Sequence, residues 1–387
     1  MSRQTSEPRR RVPVDLSTTA SATSNMKRKH LSRHRQQPQS LFLRFRRFAT
    51  RHTSTVPFIL LLGFLGLYAT NPTPSNPVHR FIFLSYRLPP SHVPSTTNQP
   101  AQYGKGPWDF AFVSFYMILL SFTREFTMQE LLRPLALHFN IKSPAKQARF
   151  MEQMYTAIYF AVTAPAGLYV LSRTPVWFFN TRGMYETYPN KAHEGAFKFY
   201  YLFQAAYWAQ QTLVMVLGLE KPRKDFRELV AHHVVTLSLI FLSYRCHFEY
   251  MGIAVYLTHD ISDFFLATSK SLKYIDSPLA DPYFGMFVFI WIYLRHYLNL
   301  RIIFSLFTEY KTVGPYELNW EREEYKGWLA NVITLVLLVS LQVLNLYWLF
   351  CILRVIYGFA RHGVTKDDRS DDDGEGEGGE EGQDKTD

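Results

Sequence analysis

Apolar stretches recur along the chain between Trp108 and Phe359, each closed by a short polar loop. Runs of roughly 17 to 25 apolar residues match a hydrocarbon core about 30 Å thick when they are helical. The pattern predicts spans at Val56 to Ala69, Phe110 to Phe122, Met151 to Leu171, Phe199 to Leu219, Val230 to His247, Tyr250 to Thr268, Phe284 to Phe307 and Leu329 to Leu353. The expected fold is therefore all-α, a polytopic transmembrane helical bundle of about eight spans. The first two runs are short. Val56 to Ala69 reads as a true span rather than a cleaved signal, because a long basic leader precedes it and Asn71-Pro72-Thr73-Pro74 offers no small-residue cleavage site. A monotopic anchor is the competing reading.

The polar remainder divides the chain. Residues 1–50, rich in Arg, Ser, Thr and Gln, read as a basic disordered cytoplasmic leader. Residues 51–107 hold the first span and a Pro-rich connector, where the missing N–H groups break up regular structure. Residues 108–359 form the membrane domain, expected to be the catalytic one, and 360–387 an acidic disordered tail in which Ser370 precedes three aspartates and would suit an acidophilic kinase. The formal charge of +10 comes largely from the leader, a partner for anionic membrane lipids. Lys27-Arg28-Lys29-His30 could also contact nucleic acid, but no reader domain accompanies it, so no nucleic-acid partner is expected.

Lys and Arg favour cytoplasmic loops. Arg124, Arg133, Lys142, Lys146 and Arg149, then Lys221, Arg223, Lys224 and Arg227, then Lys270 and Lys273 fall on the side shared with the leader. Both termini are thus expected in the cytoplasm. Cys246 and Cys351 lie in or at the ends of apolar runs and suggest neither a disulfide framework nor a zinc finger.

Two consecutive apolar runs carry the chemistry: His232 and His233 on the first, His259, Asp260 and Asp263 on the second. An Asp in hydrocarbon costs roughly 2.5 to 3.5 kcal/mol on insertion scales, so such groups need a partner or a cavity. Taking the hairpin turn near His247 to Glu249 and about 1.5 Å per residue, both sets fall about 20 Å from the turn, at one depth near the cytoplasmic face. Asp260 and Asp263 share a helix face, while His259 points elsewhere on a straight helix. A neutral imidazole can take a proton or attack a carbonyl, and a carboxylate beside it fixes its tautomer, which suits acyl transfer. The bland alternative is polar glue between helices. Metal catalysis is disfavoured because the core has too few histidines for a di-iron cluster. Arg295 and Asn299 share a face of the seventh span and could balance an acidic substrate group.

His232-His233-Val234-Val235-Thr236, Ser243-Tyr244-Arg245 and His259-Asp260-Ile261-Ser262-Asp263 closely resemble the Lag motif of ceramide synthases, within the TLC domain, and the likeness runs from about Lys146 to Phe359. The acidic tail resembles that of fungal members, and no homeobox-like insertion follows the first span. The resemblance implies an acyl-CoA-dependent N-acyltransferase of the endoplasmic reticulum membrane. It joins a fatty acyl group to the amine of a sphingoid base with no cofactor beyond acyl-CoA as co-substrate. It assigns catalysis to His232, His233, Asp260 and Asp263. Lys221, Arg223, Lys224 and Arg227, just before the histidines, could hold the CoA phosphates. The loop from Thr308 to Lys326 could set acyl length. Family members in fungi act with a small accessory membrane subunit and can form dimers. The competing functions are a non-enzymatic lipid-binding protein on the same bundle and a proton-coupled transporter using the same His and Asp groups.

Overall fold

The computed structural model describes Phe48, residues 52–89 and residues 100–362. Most of the expected leader, connector prolines Pro90 and Pro94, and the tail with Ser370 lie outside the described residues. Met1–Arg51 and His52–Asp387 are separate units, and the helical bundle belongs to the second.

Long helices follow the predicted order: α1 Thr55–Ala69, α2 Trp108–His138, α3 Pro144–Ser172, α4 Gly195–Leu217, α5 Phe226–Arg245, α6 Glu249–Tyr274, α7 Ala280–Thr308 and α8 Trp328–His362. Among the described residues α2, α3, α5, α7 and α8 are long and apolar enough to cross a membrane, and α1 is apolar but only 15 residues long. Helices α4 and α6 match predicted spans in length but are too polar to meet that standard. Two helices contain wide π-type turns, Thr127–Leu132 in α2 and Ile292–Leu298 in α7. Strand structure among the described residues is confined to two short pairs, Gln102–Tyr103 with His193–Glu194 and Leu318–Asn319 with Glu324–Tyr325.

Local chemistry sets the ends. Pro144 opens α3, where its missing N–H costs nothing. Gly218 closes α4 in the left-handed region at φ 64°. The turn between α5 and α6 occupies Cys246 to Phe248, with His247 at φ 64°, close to the predicted centre.

Helix α6 is the axis of the bundle, packed most extensively on α3 and also on α5 and α7. Close approach rests on glycines. A Cβ at Gly167 would lie 2.3 Å from the Tyr200 hydroxyl and 2.6 Å from Leu257, and one at Gly252 would lie 2.2 Å from the Tyr201 hydroxyl. Helix α5 lies against α4, α6 and α8.

The loop between α7 and α8 folds back over the α5–α6 turn. Lys326 is fully buried, its ammonium donating to the Val313 carbonyl and standing 5.1, 5.7 and 5.6 Å from the rings of Tyr185, Tyr188 and Tyr310. Burial lowers its pKa to about 8. The Tyr325 N–H donates to the Tyr188 hydroxyl at 2.8 Å, and the Tyr325 ring lies parallel to His247 at 6.1 Å. On the other side of the turn, Lys105 from the connector pairs with buried Glu249 and lies 2.6 Å from His247 Nδ1.

Candidate active site

A cavity of about 270 Å³ lies between α4, α5, α6 and α8 and reaches the loop before α8. Leu239, Ile240, Met251, Val255, Ile333, Leu337, Leu338 and Leu341 make most of its wall apolar. Along α5 its lining runs from Cys246 back to His232, and along α6 from Phe248 to His259. The two histidines are thus the lining residues farthest from the turn on their helices. Fourteen residues of helix make the cavity about 20 Å long. Its other end is walled by Leu318, Trp320, Tyr325 and Trp328.

His232 stands between two indoles, Trp208 at 5.5 Å and Trp348 at 5.4 Å between ring centres. Trp348 is held in turn by donation from its Nε1 to Asp225 at 3.1 Å. His232 Nδ1 has no hydrogen-bond partner among the described residues, and its Nε2 has only a 3.5 Å contact with the Thr236 hydroxyl. This imidazole lines the cavity with one ring nitrogen free of hydrogen bonds. His233 is perpendicular to it at 5.8 Å but lies off the cavity wall, its Nδ1 3.1 Å from the Thr212 hydroxyl.

The aspartates face different neighbours. Asp260 is fully buried and turned toward α4, where Gln204 Nε2 and the Tyr200 hydroxyl, at 3.3 Å, donate to its Oδ2. Gln204 Nε2 also donates to the Tyr200 oxygen at 2.9 Å and its Oε1 accepts from Tyr159 at 2.8 Å, so the carboxylate ends a polar chain across α3 and α4. Asp263 turns toward α7 and pairs with Arg295 at 2.6 Å. The structure thus brings His232 and His233 together, and places Asp260 and Asp263 on the adjacent helix at the same end of the cavity. The carboxylates engage α4 and α7 rather than the histidine pair.

His259 stands on the cavity wall, not apart from the site. Arg295 spans the space behind it, donating from Nε to Ser262 at 2.7 Å, from Nη1 to Asn345 at 3.1 Å and from Nη2 to the His259 carbonyl at 3.4 Å as well as to Asp263. Asn299 is also committed, donating to Gln342 at 2.7 Å. The two residues of α7 expected at the site thus both point into the bundle, with Asn299 Oδ1 left without a partner among the described residues.

The basic residues expected to meet phosphate lie in the α4–α5 connection and the first turn of α5, with Lys221, Lys224 and Arg227 exposed and Arg223 half-buried. The connection is anchored from behind. Arg149 donates to the Lys221 carbonyl at 3.0 Å, and Arg124 pairs with Glu220 at 2.5 Å. No group of three or more His, Cys, Asp or Glu arranged to hold a metal ion occurs among the described residues.

The TLC domain profile matches residues 149–354, an interval containing every side chain of this site. The chain belongs to the TLC-domain ceramide synthases. It is 53% identical over 327 residues to the sphingosine N-acyltransferase-like protein FUM17 of Gibberella moniliformis, covering 84% of this chain and 83% of that protein. It is 48% identical to sphingosine N-acyltransferase lac1 of Schizosaccharomyces pombe, over 84% of this chain and 82% of that one. Identity to ceramide synthase LAG1 of Saccharomyces cerevisiae is 46%, over 85% and 78% respectively. In this ceramide synthase the motif residues account for only part of the site. Sequence reasoning passed over Gln204 and Trp208 on α4 and Gln342, Asn345 and Trp348 on α8. A signal for the last three was present, since they recur every third residue along one side of an otherwise apolar run.

Proposed function

We infer that this chain transfers a fatty acyl group from acyl-CoA to the amine of a sphingoid base, forming the amide of a ceramide. The observation that carries the site assignment is His232, an imidazole with one unpartnered ring nitrogen at the end of a long apolar cavity. An acyl chain laid in that cavity would place its thioester carbonyl beside the ring. The nitrogen of the base then bonds to the carbonyl carbon, the C–S bond breaks, and the amine proton passes through His232 to the departing thiolate. Alternatively the ring nitrogen attacks first, and the amine displaces it from an acyl-imidazole. In either route His233, Asp260 and Asp263 shape the surroundings of the reacting ring, and the aspartates keep α4, α6 and α7 in register.

The same reading places α1 to α8 across the endoplasmic reticulum membrane as about eight spans with both termini cytoplasmic. An even number of spans puts the termini on one side, and the basic loops Lys221 to Arg227 open toward the compartment where the leader lies. Lys221, Arg223, Lys224 and Arg227 would meet the CoA phosphates there. The loop before α8 would meet the end of the acyl chain.

The test is purified protein with labelled acyl-CoA and sphinganine. Wild type forms the amide; His232→Ala forms less than about a hundredth as much, the scale of a lost general base. Amide formation by His232→Ala at the wild-type rate would remove the assignment. Mass spectrometry after mixing with acyl-CoA alone separates the routes: an acyl adduct on His232 shows the nucleophile, and no adduct in enzyme that forms amide once the amine is added shows the base.

A further inference from the structure

We infer that Asn345 is a positioning residue for this reaction, fixing His259 as the Nδ1-protonated, uncharged tautomer on the wall it shares with His232. The inference rests on the functional reading above. It starts from two groups whose hydrogen-bonding sense is fixed. His259 Nδ1 lies 2.8 Å from the Val255 carbonyl, which can only accept, so Nδ1 carries the proton. The Thr258 hydroxyl, 3.0 Å from the same nitrogen, donates onward to Val255 and leaves its oxygen free to accept. Arg295 has donors only, so the oxygen 3.1 Å from its Nη1 must be Asn345 Oδ1. That fixes the amide orientation. Asn345 Nδ2 then donates to His259 Nε2 at 3.3 Å and occupies its lone pair.

The consequence is chemical. A proton on Nε2 would point at the Asn345 NH₂ group, donor against donor, so charging His259 requires breaking this contact. Both routes through His232 build positive charge on its ring. A second cation on the same wall would oppose that step. The charged and titratable groups around His259 are His232 from α5, Arg295 and His296 from α7, and Asp260 and Asp263 on α6. Helix α8 brings only amides: Asn345, and Gln342, which lies 2.8 Å from His296 Nδ1. Helix α4 brings Tyr201 and Trp208 to the same wall and Tyr200 to Asp260, and Tyr256 of α6 lines the wall beside His259. Asn345 is fully buried in the most apolar of the five helices able to span a membrane, where an amide costs stability unless it is bonded, and it is bonded on both sides.

The test is Asn345→Asp, which keeps the shape and turns the donor into an acceptor able to hold a protonated Nε2. The acid limb of amide formation should move about one unit to higher pH, so that kcat is about tenfold lower at a fixed pH on that limb and unchanged on the plateau above it. KM for acyl-CoA and for the base should stay within about twofold, and activity should return as pH is raised. Asn345→Ser, which removes the donor without adding charge, is expected to shift the limb in the same direction by less, and serves if the aspartate variant does not fold. A pH profile superimposable on that of wild type, at full or uniformly reduced rate, overturns the role of Asn345. Absence of amide formation by wild type overturns instead the functional reading beneath it.

Discussion

Arg295 carries its charge almost fully out of contact with solvent, and Asp263 is its only carboxylate partner at hydrogen-bond distance among the described residues. Removing one member of a buried ion pair typically costs about 3 to 5 kcal/mol, because the other charge is left uncompensated. Asp263→Ala should therefore lower the thermal unfolding midpoint of the solubilised protein sharply. Asp263→Asn combined with Arg295→Met should recover most of the stability without recovering the activity. A midpoint unchanged in Asp263→Ala would mean that the pair does not hold the bundle. Costly, clustered polarity singled out the two histidines and two aspartates in the sequence, and the fold gathers them at one end of the cavity. Their partners were not legible there. Spacing along α6 shows that Asp260 and Asp263 lie near one face, but it cannot show that one meets α4 and the other α7. His259 was set aside for a related reason. Its position on a helical wheel says nothing about α5 and α8 closing around that side of α6.

Each predicted span falls on a long helix in the predicted order, and five of these helices are long and apolar enough to cross a membrane. The ends of span and helix differ where polar residues continue the helix, as in α2, which runs past Phe122 to His138. Contacts between elements are less visible. On α6, Gly252 leaves room for the Tyr201 hydroxyl of α4, with which a side chain would collide. Gly252→Val should displace the buried Tyr201 ring and cost about 1 to 3 kcal/mol, the scale of overpacking in a core; chemical denaturation in detergent measures it. The α5–α6 turn adds a dependence on pH. Burial, aided by the Lys105 cation, lowers the pKa of His247 to about 4 from an ordinary 6.5. The folded ring thus binds fewer protons than the unfolded one between those values, so stability rises with pH across that window and is lost as pH falls from about 6.5 toward 4. His247→Gln should flatten the thermal midpoint over that interval. An equally steep dependence in the variant would place the titrating group elsewhere.

For the whole molecule the cavity is the main product of the fold, and no single segment encodes it. Its wall draws on four helices and a loop, which is why the sequence could suggest the chemistry but not the space proposed to receive an acyl chain. Thr334 lies between the ends of that wall on α8. Thr334→Trp should shorten the acyl chains in the product, read by mass spectrometry of amides formed from a mixture of acyl-CoAs; an unaltered distribution would show that chains do not enter by this route. The polarity of α6 has a further consequence for how the protein is made. This helix carries His259, Asp260 and Asp263 and falls short of the apolarity of an independent membrane span, while Arg295 arrives only with α7 and Asn345 only with α8. On the proposed topology, its lodging in the bilayer depends on sequence not yet synthesised when it emerges from the ribosome. The expected consequence is that the segment is held in a protected state until the last two helices are translated, and that a nascent chain ending shortly after Tyr274 remains accessible to degradation.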